Sequence, residues 1–318
     1  MVFAYGAALA MTPYLLIKIS WVVAALSGLL PRAEHLSVAG FVVLNTVTIG
    51  MAAAGIALAL ALVRPWGERI PALVVLSCAW IGCGFLVPMT PYAVLDTLLS
   101  AGDEASGSEA SVMPSWEASL IQVSFLGMSV GLAVALPFYL RARWPAAFAG
   151  RVGDGTAAVR PSGAYRPGAA MIALVGALVV GMLDLYWAAG GTIGLRHPAE
   201  RELTWYLQAG NTGIWSLAGA WGVWVIARAR QAVPLWIPVS VSWLVSGFLV
   251  AWGCWKLPFA VYQAVGSEVD TVWPEHLGVA AAQFLISIAA GTAMLSTVLH
   301  AYRARQSPHD ARISAYQA

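Results

Sequence analysis

The chain has 318 residues, 60% of them apolar and only 10% charged, with a mean hydropathy of +0.75. Soluble domains carry about 25% charged residues, so these proportions exclude an ordinary water-soluble globule and predict a polytopic membrane protein. The net charge of +2 arises from two Lys, fifteen Arg and fifteen acidic residues, and the preference for Arg points to a GC-rich bacterial genome.

The N-terminus, MVFAYGAALAMTPY, lacks a basic leader and a cleavage site, so it reads as the start of a first helix. Eight apolar segments follow, at 7–30, 38–63, 70–92, 118–140, 168–195, 206–227, 234–256 and 277–301. At 1.5 Å per residue each spans a hydrocarbon core of about 30 Å. Backbone groups in lipid must be satisfied within the segment, so the expected fold class is an all-α membrane protein with eight transmembrane helices. Twelve Arg flank alternate ends of these segments, from Arg64 and Arg69 to Arg312, whereas Arg32, Arg196 and Arg201 occupy the opposite loops. The positive-inside rule then places both termini in the cytoplasm, in a plasma membrane. The acidic, Ser/Gly-rich loop 96–116 lies outside, and the Arg/Gly/Pro-rich connector 141–167 lies inside.

The chain contains traces of a duplication. Trp80–Val87 reads WIGCGFLV and Trp243–Val250 reads WLVSGFLV, followed by PYAV at 91–94 and PFAV at 258–261. The second copy inserts four residues between these landmarks, about one helical turn. Upstream, IKISWVVAALSG at 17–28 aligns with LDLYWAAGGTIG at 183–194, matching Trp21 with Trp187 and Lys18 with Asp184. The expected organisation is a first four-helix repeat (1–140), a basic linker (141–167), a second four-helix repeat (168–301) and a cytoplasmic tail (302–318). An even number of crossings per half makes the repeats parallel, about an axis along the membrane normal.

The stretch LDLYWAAGGTIGLRHP at 183–198, with the Trp-rich segments after it, resembles the bacterial membrane proteins of domain-of-unknown-function family 3995. That family carries an H-x-Y-W-A-x-G-G motif at a helix end. The position of its His holds Asp184 in one half and Lys18 in the other. The resemblance implies architecture only, because the family has no activity to transfer.

Asp184 is the only acidic residue well inside a predicted span, and Lys18 the only basic one. Such residues are expensive in lipid and face protein or water. Three readings stand side by side. The pair forms a salt bridge that locks the repeats; it lines a site for an ion, proton or head group; or Lys18 snorkels to the inner surface from a helix starting near Pro13. Further polar residues cluster toward the outer half: Asn45 on the second segment, Gln208 and Asn211 on the sixth, Glu117 and the deeper Gln122 on the fourth, and Glu275, His276 and the deeper Gln283 on the eighth. Lys256 ends the seventh segment on the outer side. Their shared depth predicts a polar cavity open to the outside, although each amide taken alone reads as interhelical hydrogen bonding. Trp21, Trp80, Trp187 and Trp243 lie deep enough to form an aromatic wall or to fill the core. Small residues at 188–191 (AAGG) and 52–55 (AAAG) permit close helix contact.

There is no phosphate-binding loop, dinucleotide fingerprint or HExxH motif, and the cysteines Cys78, Cys83 and Cys254 have no metal-site spacing. No cofactor, metal or nucleic-acid partner is therefore expected. The expected partners are the lipid bilayer and a small-molecule or lipid ligand. An embedded enzyme acting on a lipid or isoprenoid, with Asp184 or Glu117 as acid/base, and an accessory subunit remain alternatives.

Overall fold

The computed structural model describes residues 1–29, 37–100, 115–143, 152, 167–228, 233–265 and 274–316, the last helix by backbone alone beyond 303. The acidic stretch 101–114, most of the basic connector, Arg32 and Trp273 lie outside these residues. The described chain is all-α: α1 (Val2–Leu26), α2 (Val38–Ala61), α3 (Ala72–Leu86), α4 (Thr90–Ser100), α5 (Ser115–Arg143), α6 (Pro167–Ala188), α7 (Leu203–Arg228), α8 (Trp236–Ala264) and α9 (Leu277–Tyr316). Seven helical stretches are long and apolar enough to cross a membrane, with α3 and α4 counting together as Ala72–Leu99. α7, the predicted sixth span, is long enough but falls short in apolarity: Gln208, Asn211 and Thr212 interrupt its first half.

Two compact units are present. The first comprises Met1–Tyr139 with Tyr262–Val272, the second Leu140–Val261 with Trp273–Ala318. In the first unit α1 packs along α2, and α5 crosses α1 through the G-x-x-x-G pair Gly127 and Gly131. A Cβ on either glycine would stand 2.5 Å from a methyl of Ala10 or Ala7. In the second unit α6 packs along both α7 and α9. Gly181 and Gly213 meet at the α6–α7 crossing, where a Cβ on Gly213 would lie 3.0 Å from the Gly181 carbonyl. Without a hydrophobic drive between helices in lipid, such close backbone approach supplies the packing.

Several predicted helix ends move. α6 stops at Ala188, not 195, because Gly190 takes a φ of +95°. Its amide donates to the Trp187 carbonyl and the Gly191 amide to that of Tyr186, which is the Schellman arrangement. AAGG is thus a helix cap, whereas in AAAG Ala52 is fully buried and Gly55 packs near Met128 of α5. α1 closes on the same device at Gly28, with Leu29 donating to the Ala24 carbonyl. α8 continues through Pro258 to Ala264, which puts Lys256 two turns inside the helix rather than at its end. The matching stretch in the first unit breaks at Val87–Met89, around Pro88, before α4 resumes. α1 runs unbroken through Pro13 to Val2, so Lys18 lies sixteen residues along from the helix start. That distance is about 24 Å at 1.5 Å per residue, and the shorter first helix near Pro13, on which the snorkelling reading depends, is not formed.

Candidate functional site

In the first unit, Lys18 is half-buried on α1. Its ammonium donates to Asn45 Oδ1 on α2 at 3.0 Å. Asn45 is 3% exposed, and its Nδ2 donates to the Phe41 carbonyl one turn back, so the amide is fixed with its oxygen toward Lys18. The ammonium also lies 3.9 Å from the Trp21 ring centroid and 5.6 Å from that of Tyr14, a cation–π arrangement. The Trp21 indole N–H in turn donates to Glu117 Oε2 on α5 at 3.2 Å. Glu117 is the carboxylate whose charge acts on Lys18, yet no ion pair within 4.0 Å joins them among the described residues. Three helices thus converge on one indole.

In the second unit, Asp184 is 5% exposed on α6 and accepts from Gln283 Nε2 on α9 at 2.8 Å. Lys256 of α8 is its cationic neighbour, and Glu275 is a further carboxylate acting on both. Glu275 Oε1 accepts the indole N–H of Trp205 at 3.1 Å, and Trp205 lies 6.0 Å from Trp187, ring to ring. Trp187 is 1% exposed and donates to the Ile193 carbonyl. The segment after α6 covers this group. The Tyr186 hydroxyl accepts from the Thr192 and Ile193 amides, and Arg201 donates to the Gly191 carbonyl and stacks on Trp205 and Tyr206. The Arg196 and His197 amides donate to the Pro274 carbonyl, and His276 N–H to that of Gly194.

The two units each hold a charged side chain, an amide and an indole–carboxylate contact, arranged in different ways. The charge on the first helix is reversed, and its amide partner comes from the second helix (Asn45) in one unit and the last (Gln283) in the other. Gln122, the expected counterpart of Gln283, instead donates to the Ala93 carbonyl and Thr97 Oγ1 on α4. The offset explains this: Gln122 follows Glu117 by five residues, whereas Gln283 follows Glu275 by eight, about one turn deeper. Gln208 and Asn211 are half-buried near the start of α7, and the Gln208 carbonyl accepts the Thr212 hydroxyl. Trp80 on α3 and Trp243 on α8 are half-buried, each in its own unit. Lys256 and Trp205 were the members that sequence reading missed. Lys256 looked terminal because the apolar run thins at 256, and Trp205 looked interfacial because it opens its helix.

Beside Asp184 a shallow groove of about 240 Å³ runs between α6 and α9. Val179, Leu183, Val279, Ala282 and Ile286 line it, with Gln283 as its one polar residue. Among the described residues no group of three His, Cys, Asp or Glu is placed to hold a metal ion. The three cysteines are free thiols.

These features are those of a multi-pass, all-α integral membrane protein with charged centres inside its helices. No protein-family profile, curated protein or solved structure matches the chain. The resemblance drawn from LDLYWAAGG accordingly rests on those residues alone.

Proposed function

We propose that this is an eight-crossing plasma-membrane protein, built from two parallel four-helix repeats with cytoplasmic termini, that binds a small polar or amphiphilic molecule at its charged centres. The observation that carries the reading is the way each centre is built. Lys18 and Asp184 each have a side-chain amide and an opposite charge inside their own unit. Their burial does not depend on pairing with each other, so a lock between repeats is not needed to account for them. The polar members lie toward the Arg-poor ends of the helices, which favours access from the outer face. The test is the double variant Lys18→Met with Asp184→Asn, extracted in native-membrane discs and weighed by native mass spectrometry. Wild type is expected to retain a bound molecule that the double variant loses while keeping its thermal melting profile. Identical bound species in both would overturn the reading.

A second reading, an embedded enzyme acting on a lipid, draws on the apolar groove beside Gln283 and Asp184. There Asp184 would serve as the acid/base, with the chain of the lipid lying along α6 and α9. Turnover of a labelled lipid extract by wild type but not by Asp184→Asn distinguishes catalysis from binding.

A further inference from the structure

The Lys18 centre has a feature that points to a particular ligand chemistry. An ammonium offers three donors, and only one of them, to Asn45, is taken among the described residues. Glu117 gives one oxygen to the Trp21 indole, and its other oxygen has no described partner. The two side chains carry opposite charges and act on each other, yet they do not close into an ion pair. Trp21 separates them, its ring face under the ammonium and its N–H on the carboxylate. The spacing is held from three helices: Asn45 fixes Lys18 from α2, Trp21 stands one turn along α1, and Glu117 opens α5. Lys18, Trp21 and Glu117 are all half-buried, so none of the three side chains is sealed in the core.

A fixed cation and a fixed anion held apart, each with unused hydrogen-bonding capacity, are complementary to a molecule carrying both charges. We infer that the Lys18–Trp21–Glu117 group binds a zwitterion, with its phosphate or carboxylate on Lys18 and its ammonium on Glu117. Rejection follows from the same arrangement. A purely anionic head group meets the Glu117 charge and a purely cationic one meets Lys18, so each wrong ligand carries a repulsive contact. The chemistry is shared by two sources, an ethanolamine-type lipid head group and a small soluble zwitterion. This inference rests on the binding reading above and deepens it at one of its two centres.

The experiment is a native mass-spectrometry titration of the detergent-solubilised full chain. The probes are dioleoyl phosphatidylethanolamine, dioleoyl phosphatidylglycerol and free O-phosphoethanolamine. Phosphatidylethanolamine is expected to bind about tenfold more tightly than phosphatidylglycerol, the size of effect that one charge-assisted hydrogen bond supplies. Glu117→Gln is expected to erase that preference and Lys18→Met to remove binding of both lipids. Lys18→Arg should keep the preference. If Lys18→Met does not fold, the Glu117→Gln and Lys18→Arg arms still decide the matter. Binding of free O-phosphoethanolamine as tight as that of the lipid would assign the soluble source; its absence would assign the lipid. Equal binding of the two lipids, unaffected by Glu117→Gln, overturns the zwitterion and leaves a simple anion site, so the broader binding reading survives. No saturable binding of any probe also overturns the zwitterion, and the fate of the broader reading then lies with the co-purified species lost or kept by the Lys18/Asp184 double variant.

Discussion

At the scale of single residues, the Asp184–Gln283 contact has the clearest energetic consequence. A carboxylate 5% exposed, in a helix bound for lipid, depends on the amide that donates to it at 2.8 Å. Interhelical hydrogen bonds in membranes contribute about 0.6 kcal/mol on average. Leaving a buried polar acceptor without its donor is worse, at about 1–3 kcal/mol. The second magnitude governs here because Asp184 is 5% exposed, so solvent replaces the amide less freely than it would at a half-exposed site. Gln283→Leu is therefore expected to lower stability by about 1–3 kcal/mol, read as a shifted midpoint in a denaturing-detergent titration. Asp184→Asn, which removes the charge but keeps a partner for Gln283, is expected to shift it less. A Gln283→Leu midpoint equal to wild type would show that the contact does not hold α6 to α9. Lys18 is half-buried and sits against Trp21, so Lys18→Met loses a cation–π contact and also leaves the buried Asn45 Oδ1 without its donor.

At the scale of elements, the glycines at helix crossings and helix ends do separate work. Gly213 sits against Gly181 and Leu185, where a Cβ would lie 2.7 Å from Leu185 Cγ and 3.0 Å from a backbone carbonyl. The carbonyl cannot move without moving α6, so Gly213→Ala is expected to lower stability by about 1–3 kcal/mol through overpacking. Gly190 has open space around its Cα, and only its φ of +95° resists a side chain. Gly190→Ala should thus cost about 1 kcal/mol, and Gly190→Asn, which tolerates that region better, should cost less. The same denaturing-detergent titration ranks the three variants; equal midpoints for Gly213→Ala and Gly190→Asn would contradict the division. These elements also show what the sequence could reveal. Apolar runs marked nearly every helix, because lipid demands them. They did not mark the ends: TIG after AAGG is still apolar, so the α6 run read through a cap that only backbone geometry defines. Charge partners were hidden for a different reason. Lys18 and Asn45 are 27 positions apart and Asp184 and Gln283 are 99, so pairing depends on which helix lies beside which, and no local periodicity carries that. The repeat alignment paired Lys18 with Asp184 by position, and the contacts within each unit show what position alone could not.

At the scale of the whole molecule, the open matter is how many times the chain crosses, and α7 decides it. With seven crossings the termini lie on opposite sides of the membrane; with eight they share one. α7 has 26 residues, about 39 Å of helix, ample for a core of about 30 Å. Its lower apolarity comes from Gln208, Asn211 and Thr212, and from glycines such as Gly213, Gly219 and Gly222 that are buried against neighbouring helices. Polar and small residues on a packed face are no obstacle to crossing, because they meet protein rather than lipid. Connectivity within the second unit gives an independent argument. The segment leaving α6 is hydrogen-bonded to the start of α9: Arg196 and His197 to Pro274, and His276 to Gly194. The end of α6 and the start of α9 therefore share one side. If α8 crosses once between them, the proposed eight-crossing arrangement, with α7 crossing as well, brings the two ends to the same side, whereas an α7 on one face would part them. The Arg distribution agrees: with α7 crossing, Arg228 joins Arg141, Arg143 and Arg303 on one side, whereas without it Arg228 would share a side with Arg201. Reporter fusions at both termini provide the measurement. Fluorescent-protein fusions, bright only in the cytoplasm, are expected to be bright at either end, and secreted-phosphatase fusions inactive at either end. A phosphatase fusion inserted after Arg201 should be active and one inserted after Arg228 inactive. Activity at both of those internal sites would mean that α7 stays on one face, and the eight-crossing arrangement with its parallel repeats would have to be abandoned.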